Sequence, residues 1–388
     1  MKNLFLTVLL FSLALPVICI AQRTPEQLAG VYRAYQAPKE VSEATVPRGF
    51  HLVYVSHYGR HGSRWLTNDA RYEWVLKQFD NEKSLTHQGK KLRNLLLKVY
   101  AHAKGNGGKL TTLGAEQQQG IAKRMEQRFP TFFSHVNSID ARSSIVGRCR
   151  KSMEAFMEVI KRDIPQADII MKTDTADMQW ISYDSPDEML LKMETNVPLG
   201  ISPNRFIANL FKDTTFVKDK EKLLIECFTI ASDMQDVSGL NINLYPFFTQ
   251  EEMKACYKQN CRKMWFENGL NPANHGIPAQ CAANLWKNIV CTADSALASK
   301  KYLLTLRFGH DTALYRLLSL LGSKTIVDNQ GENLSEIVPM ATNLQMAFYR
   351  NAADSVIVSF WLNEKPMYLI ADSLYYPWSR LKANLNEQ

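Results

Sequence analysis

Leu52-Val53-Tyr54-Val55-Ser56-His57-Tyr58-Gly59-Arg60-His61-Gly62-Ser63-Arg64-Trp65 is the stretch on which the fold turns. Its first four residues are apolar and largely β-branched or aromatic, the composition of a strong strand. The strand runs into Gly59 and Gly62, which permit tight turning and close backbone approach to a ligand. In open α/β sheets, ligands bind at the carboxyl ends of strands. A histidine between arginines at such an end is therefore a candidate site.

Working outward, the apolar spacing predicts a helix near 68–80 and another carrying Leu92, Leu95, Leu96 and Val99, capped at Leu85-Thr86-His87-Gln88-Gly89. Leu110-Thr111-Thr112-Leu113-Gly114 leads into a further helix with Ile121, Met125 and Phe129, stopped by Pro130. A short strand is expected around 136–141. Cys149, Met153, Phe156, Met157 and Ile160 then mark an amphipathic helix whose first turn holds Arg148. Residues of about 170–295 differ: they show helical patches and loops, and no alternating strand pattern. The α/β pattern resumes at Lys301–Phe308, a buried-type strand that runs into Gly309-His310-Asp311-Thr312 and a helix closed by Gly322. Residues 343–350 and 355–362 read as a hairpin, and Asn363–Pro366 as a turn into a last short strand. The expected organisation is an extended lead-in over 22–46, an α/β core from 47–165 and 296–388, and an inserted, mostly helical cap over 166–295.

The chain has 388 residues, enough for two packed lobes. Lys2 is followed by an apolar run from Leu4 to Ile20, broken by Pro16, with the small Ala21 before Gln22. This layout reads as a signal peptide over 1–21, and hence as export to the periplasm or medium. The alternatives are a membrane anchor or a lipoprotein through Cys19. No second long apolar run follows, so no stable membrane insertion is expected after cleavage. Loss of the leader removes one charge, Lys2, and takes the formal net charge from +8 to +7. A basic exported protein suits an anionic ligand, although a generic basic surface explains the same number. The basic residues are dispersed and not interleaved with aromatics, which argues against a nucleic-acid partner. Six cysteines remain: Cys149, Cys227, Cys256, Cys261, Cys281 and Cys291. An even count in an oxidising compartment suggests disulfides, with Cys256–Cys261 and Cys281–Cys291 the easiest local pairs. No zinc-ligand spacing is present, and no cofactor or metal is expected.

His61 and His310 each follow a predicted strand and adjoin a glycine. If the two strands are neighbours, both imidazoles face one cavity. Arg60 and Arg64 flank His61, and Arg148 lies at a helix start, where backbone N–H groups also favour anions. Arginine suits phosphate because its planar fork donates two parallel hydrogen bonds. Taken singly, a strand-end histidine, an Arg-His-Gly triplet or a helix-capping arginine each has an ordinary structural explanation. Their joint occurrence, in order and each in its expected setting, points to a dianion site with a nucleophilic imidazole.

Arg60-His61-Gly62-Ser63-Arg64 resembles the R-H-G-x-R signature of the histidine phosphatase superfamily. Leu110-Thr111-x-x-Gly114, the helix beginning Arg148-Cys149-Arg150, and Phe308-Gly309-His310-Asp311-Thr312 are similar to the elements that follow in its acid phosphatase and phytase branch. Tyr58-Gly59, Ser63, Trp65 and the segment Phe247-Phe248-Thr249-x-Glu251-Glu252 resemble the multiple inositol polyphosphate phosphatases. Those enzymes usually carry His-Ala-Glu where this chain has His310-Asp311. The resemblance implies a phosphoglycerate mutase-like core sheet flanked by helices, with a cap that roofs the cleft. It implies that His61 becomes phosphohistidine, that Arg60, Arg64, Arg148 and His310 hold the phosphate oxygens, and that Asp311 serves the leaving group. The implied partner is a small organic phosphate, a polyanion such as an inositol polyphosphate. A broad-specificity acid or sugar phosphatase, and a non-catalytic phosphate-binding protein, are the alternatives. The oligomeric state is not legible.

Overall fold

A single eight-stranded sheet carries the core, in a computed structural model that describes residues 23–182, 197–329, 331, 333–369 and 373–386. The expected leader at 1–21 lies outside the described residues. The strands are β1 (Phe50–Arg60), β2 (Ser138–Ser143), β3 (Asp168–Thr173), β4 (Leu303–Gly309), β5 (Asn343–Asn351), β6 (Val356–Leu362), β7 (Lys365–Met367) and β8 (Tyr376–Pro377). Their order is β3-β2-β4-β1-β5-β6-β7, with β8 also paired to β6. The first four run parallel, and β5 turns the sheet antiparallel.

Both faces of the sheet are covered, as parallel strands require. On one face lie α3 (Thr112–Arg128) and α4 (Gly147–Asp163), following α1 (Ala70–Gln78) and α2 (His87–Ala103) in the chain. The predicted stripe of α4, Met153, Phe156, Met157 and Ile160, packs there against Val55, Leu304, Leu306 and Phe308. The other face packs Tyr54, Tyr58, Leu344, Met346 and Phe348 against residues of Ala283–Ser299 and Asp311–Leu320. A bulge between Leu52 and Tyr54 shifts the alternation of β1. Leu52 therefore shares a face with Val55 despite the odd spacing. A third apolar cluster joins α1 and α2 to α5 (Lys220–Asp233) and α6 (Gln250–Asn268), the principal helices of the cap.

Three expectations need correction. The boundary at 166 falls one strand early, because Asp168–Thr173 is the edge strand β3. Every second residue of β3 is exposed, and its sequence lacks an apolar alternation that would announce a strand. At the other end of the expected cap, Ala283–Ser299 packs on the core through Leu285, Trp286, Ile289 and Ala293. The lead-in is not simply extended: Glu26–Tyr32 forms a 3-10 turn with Leu28, Ala29 and Val31 buried. The turn bends at Gly30, whose φ is +59° and where a Cβ would meet Ser335 Oγ at 2.8 Å.

The expected disulfides are also absent: Cys256–Cys261 and Cys281–Cys291 are not bridged, nor is Cys149 or Cys227. Cys256 and Cys261 lie five residues apart on α6, about 140° apart around the helix. Cys261 Sγ instead meets Ser335 Oγ at 2.9 Å. Cys291 is exposed and lies well into its helix, about 12 Å along the axis from the helix start near Cys281. A disulfide needs Cα atoms within about 7 Å. Among the described residues no helix is long and apolar enough to cross a membrane.

Candidate active site

β1 and β4 are parallel neighbours, and their register pairs Arg60 with Gly309. His61 and His310 each stand one residue beyond this last pair, so the condition on which one shared cavity depended is met. Their rings lie edge to face with centroids 5.7 Å apart. Arg148 enters from the first turn of α4, and its Nη2 is 3.4 Å from His310 Nδ1. The structure thus brings His61, His310, Asp311, Arg60, Arg64 and Arg148 together at the carboxyl end of the sheet.

The loop that carries His61 is pressed against the start of α3. A Cβ on Gly62 would collide with the backbone carbonyl of Gly114, and one on Gly114 with that of Ser63. Thr111 N donates to Ser63 O (2.9 Å), and the Thr111 hydroxyl caps α3 by accepting from Gly114 N (3.2 Å). The two motifs recognised separately in the sequence are therefore the two sides of one backbone contact. Gln117 accepts from Ser63 N (2.9 Å), and Gln118 donates to Arg60 O (2.9 Å), which fixes the loop from the same helix. Gly309 serves β4 likewise, since a Cβ there would collide with the Tyr58 hydroxyl.

His61 is buried, with Nδ1 2.9 Å from Gly62 O. A carbonyl can only accept, so Nδ1 carries the hydrogen and Nε2 keeps its lone pair. Burial, then the charges of Arg60, Arg148 and Arg64, hold its pKa well below the usual imidazole value. The ring is thus neutral and nucleophilic at ordinary pH. Burial and Arg148 also lower His310, to about 4. Its Nδ1 faces Arg148, and its Nε2 lies 3.3 Å from Ser144 Oγ. The donor expected of His310 is thus an Nε2–H shared with Ser144.

Each arginine is oriented by its neighbours and keeps a donor in reserve. Arg60 Nη1 donates to Val31 O (2.7 Å) and Val338 O (2.8 Å), and Nη2 lies 3.0 Å from Asp311 Oδ2. Arg64 Nη1 donates to Trp65 O (2.9 Å), and its guanidinium lies over the Tyr32 ring at 5.4 Å. The Nε–H groups of Arg60, Arg64 and Arg148 are buried without a hydrogen-bond partner among the described residues. Such donors suit an anion placed among them. Burial alone would raise the Asp311 carboxyl, but Arg60, His310 and Arg64 hold it below its ordinary value. Arg64 and Asp311 also line a cavity of about 600 Å³ whose walls come from Tyr32 of the lead-in and from Arg71, Glu226, Asn260 and Lys263.

Sequence reasoning did not find Val31 and Tyr32, and no local pattern marks them. It also passed over Asp233 and Asp236, both wholly buried behind Arg64. Asp233 is the last residue of α5, where the helix dipole disfavours an acid, and that is the signal that could have drawn attention.

No protein-family model matches the chain. Multiple inositol polyphosphate phosphatase 1 of Gallus gallus is 22% identical over a 291-residue alignment that covers 67% of this chain. The match spans 64% of the length of that curated relative. Among solved structures, the Bifidobacterium longum multiple inositol polyphosphate phosphatase in complex with inositol hexasulfate has a TM-score of 0.78 at 16% identity, covering 92% of this chain and 97% of that one. The phytase from D. castellii has a TM-score of 0.64 at 14% identity, covering 97% and 88%. At these identities the likeness is one of fold, and the chain has the α/β fold that its motifs imply, that of the multiple inositol polyphosphate phosphatases and phytases.

Proposed function

We propose that the chain is an exported phosphomonoesterase that works through a phosphohistidine on His61 and hydrolyses inositol polyphosphates. One observation carries the reading: a neutral, buried imidazole, with its Nδ1 committed to Gly62 O, stands among three arginines that each keep a buried N–H unspent. The names of the similar proteins support the substrate class. The apolar leader supports export.

In the first step His61 Nε2 attacks phosphorus and the bond from phosphorus to the leaving oxygen breaks. Arg60, Arg64 and Arg148 stabilise the charge on the non-bridging oxygens. Asp311 passes its proton to the departing alkoxide, which is a poor leaving group without one. In the second step Asp311 takes a proton from water, the water oxygen bonds to phosphorus, and the P–N bond breaks to restore neutral His61. Asp311 begins paired to Arg60 Nη2 at 3.0 Å. An arriving phosphate dianion competes for that guanidinium and adds negative charge beside Asp311, and both effects raise the carboxyl toward the protonated form the first step needs.

The test is His61→Ala. Wild type incubated with a phosphate ester and quenched in base yields an acid-labile phosphoprotein; the variant yields none and has no turnover, while its circular dichroism is unchanged. Turnover retained in the variant breaks the reading. A second reading, a broad-specificity acid or sugar phosphatase, draws on the cavity wall, where Arg71 is already paired with Glu226 (2.8 Å). Phosphate release from phytate, compared with glucose 1-phosphate and an aryl phosphate, separates the two.

A further inference from the structure

We propose that Asp233 and Asp236 are positioning residues for the phosphate cradle: the two carboxyls share one proton, and that proton leaves Arg64 free to hold an anion. The inference rests on the phosphate-binding reading of the site.

Both carboxyls are wholly buried and reach from the end of α5 into the loop that carries His61. Asp236 Oδ1 accepts from Ser63 Oγ at 2.5 Å, and Ser63 Oγ accepts in turn from Gln117 Nε2 at 2.8 Å. Asp233 Oδ2 accepts from the Tyr72 hydroxyl at 3.3 Å, and Arg64 Nη1 lies 4.0 Å from Asp233 Oδ1. The remaining oxygens, Asp233 Oδ1 and Asp236 Oδ2, have no hydrogen-bond partner among the described residues. Two carboxylates buried away from bulk solvent, with Arg64 at 4.0 Å the one guanidinium within ion-pair distance among the described residues, crowd two negative charges where their repulsion is poorly screened. A proton on one of the unpartnered oxygens removes that repulsion. The end of a helix, where the dipole is negative, disfavours a second charge further.

The groups that face the pair are Arg60 and Arg64 from the His61 loop, Arg71 and Tyr72 from α1, and Tyr245 from the segment after α5. Burial raises Asp233 against the opposing pull of Arg64, and burial together with the charge of Asp233 raises Asp236. In the ligand-free site His61 and His310 are held low, Asp311 is held below its ordinary value by Arg60, His310 and Arg64, and the Cys149 thiol is raised to about 12 by burial. Below its apparent pKa the pair carries one negative charge, shared among Arg60, Arg64 and Arg71. Above it the pair carries two, and Arg64 is drawn toward Asp233 and away from the ligand.

The probe is sulfate, a dianion that does not itself titrate in this range. Calorimetric titration from mildly acidic to mildly alkaline pH is expected to show wild-type affinity falling by about tenfold per pH unit once the shared proton is lost. Asp236→Asn and, independently, Asp233→Asn keep a side-chain acceptor for Ser63 or Tyr72 and hold the pair at one charge, so both curves should lose the steep fall that the shared proton gives wild type. Infrared spectra should show the carbonyl stretch of a protonated carboxylic acid in wild type and its loss in Asp236→Asn. Variants that keep the wild-type slope, a wild type without slope, or the absence of that band overturns the inference. The expected sulfate and infrared behaviour with no phosphatase turnover in wild type overturns the hydrolase reading alone.

Discussion

The floor of the site, around His61, and the wall of the cavity that adjoins it at Arg64 and Asp311 both carry cations, and they hold them differently. On the floor, Arg148 meets the neutral ring of His310, and Arg64 meets a backbone carbonyl and the face of Tyr32. Arg60 hangs from two carbonyls and touches only Asp311, the group proposed to move the proton. On the wall, Arg71 is bonded to Glu226 through both Nε (2.9 Å) and Nη2 (2.8 Å), and Lys263 lies 3.8 Å from Glu267. Carbonyls and rings orient a guanidinium without cancelling its charge. Carboxylates cancel it. Among the described residues, the only carboxylates within 4.0 Å of the three floor arginines are Asp311 at Arg60 and Asp233 at Arg64, so the floor keeps more positive charge than negative. The field that draws an anion is therefore concentrated around His61, while the cations of the wall are balanced by their carboxylate partners.

The comparison breaks most sharply at Arg148. Its loss removes a floor cation with no carboxylate left behind to be stranded. Arg148→Ala should cut kcat/KM by about a hundred- to a thousandfold, or about 3–4 kcal/mol of barrier. The loss should be similar on phytate and on small phosphates, since all present the same phosphoryl group to the floor. Steady-state kinetics with both substrates check this; a fall below about tenfold would remove Arg148 from the cradle.

Asp311 sharpens it from the other side. Asp311→Asn keeps the shape but gives up the proton. It should slow alkyl phosphates by about a hundred- to ten-thousandfold and aryl phosphates with good leaving groups far less, because such groups depart without protonation. Equal losses on both would leave Asp311 as a partner of Arg60 only.

The floor was legible in the sequence and the structures behind it were not, for a physical reason. Strand-end glycines, a helix-start arginine and a histidine between arginines are local patterns, and each residue's role depends mostly on its own element. The meeting of Gly62 with Gly114 was marked by the two motifs, although only the fold shows them in contact. Val31 reaches Arg60 from 29 residues away, and Asp236 reaches Ser63 from 173. Such contacts are set by tertiary packing and leave no periodic trace. His57 makes the same point within one strand. It is buried like His61, four residues earlier, but stands between Phe156 and Phe308 with neither nitrogen bonded. Strand position, read from the glycines, separates the two. The cysteines misled because an even count says nothing of geometry. β3 was missed because an edge strand need not bury an apolar face.

The smallest effects belong to the wall, and they decide the substrate. Arg71 lies on the cavity wall with Tyr32 Oη at 2.9 Å and Glu226 beside it. A polyphosphate that places a second phosphate there must displace Glu226, so the net gain is a difference between two partly exposed ion pairs, under about 1 kcal/mol. Arg71→Ala should therefore raise KM for phytate by about two- to fivefold and leave glucose 1-phosphate unchanged. Glu226→Gln, which frees the cation without removing it, should shift phytate KM the other way by a similar factor. Opposite signs on phytate, with no change on the monophosphate, place a second phosphate at the wall. Parallel changes on both substrates would make Arg71 a structural tie between α1 and α5, and would turn the choice of substrate back to the floor.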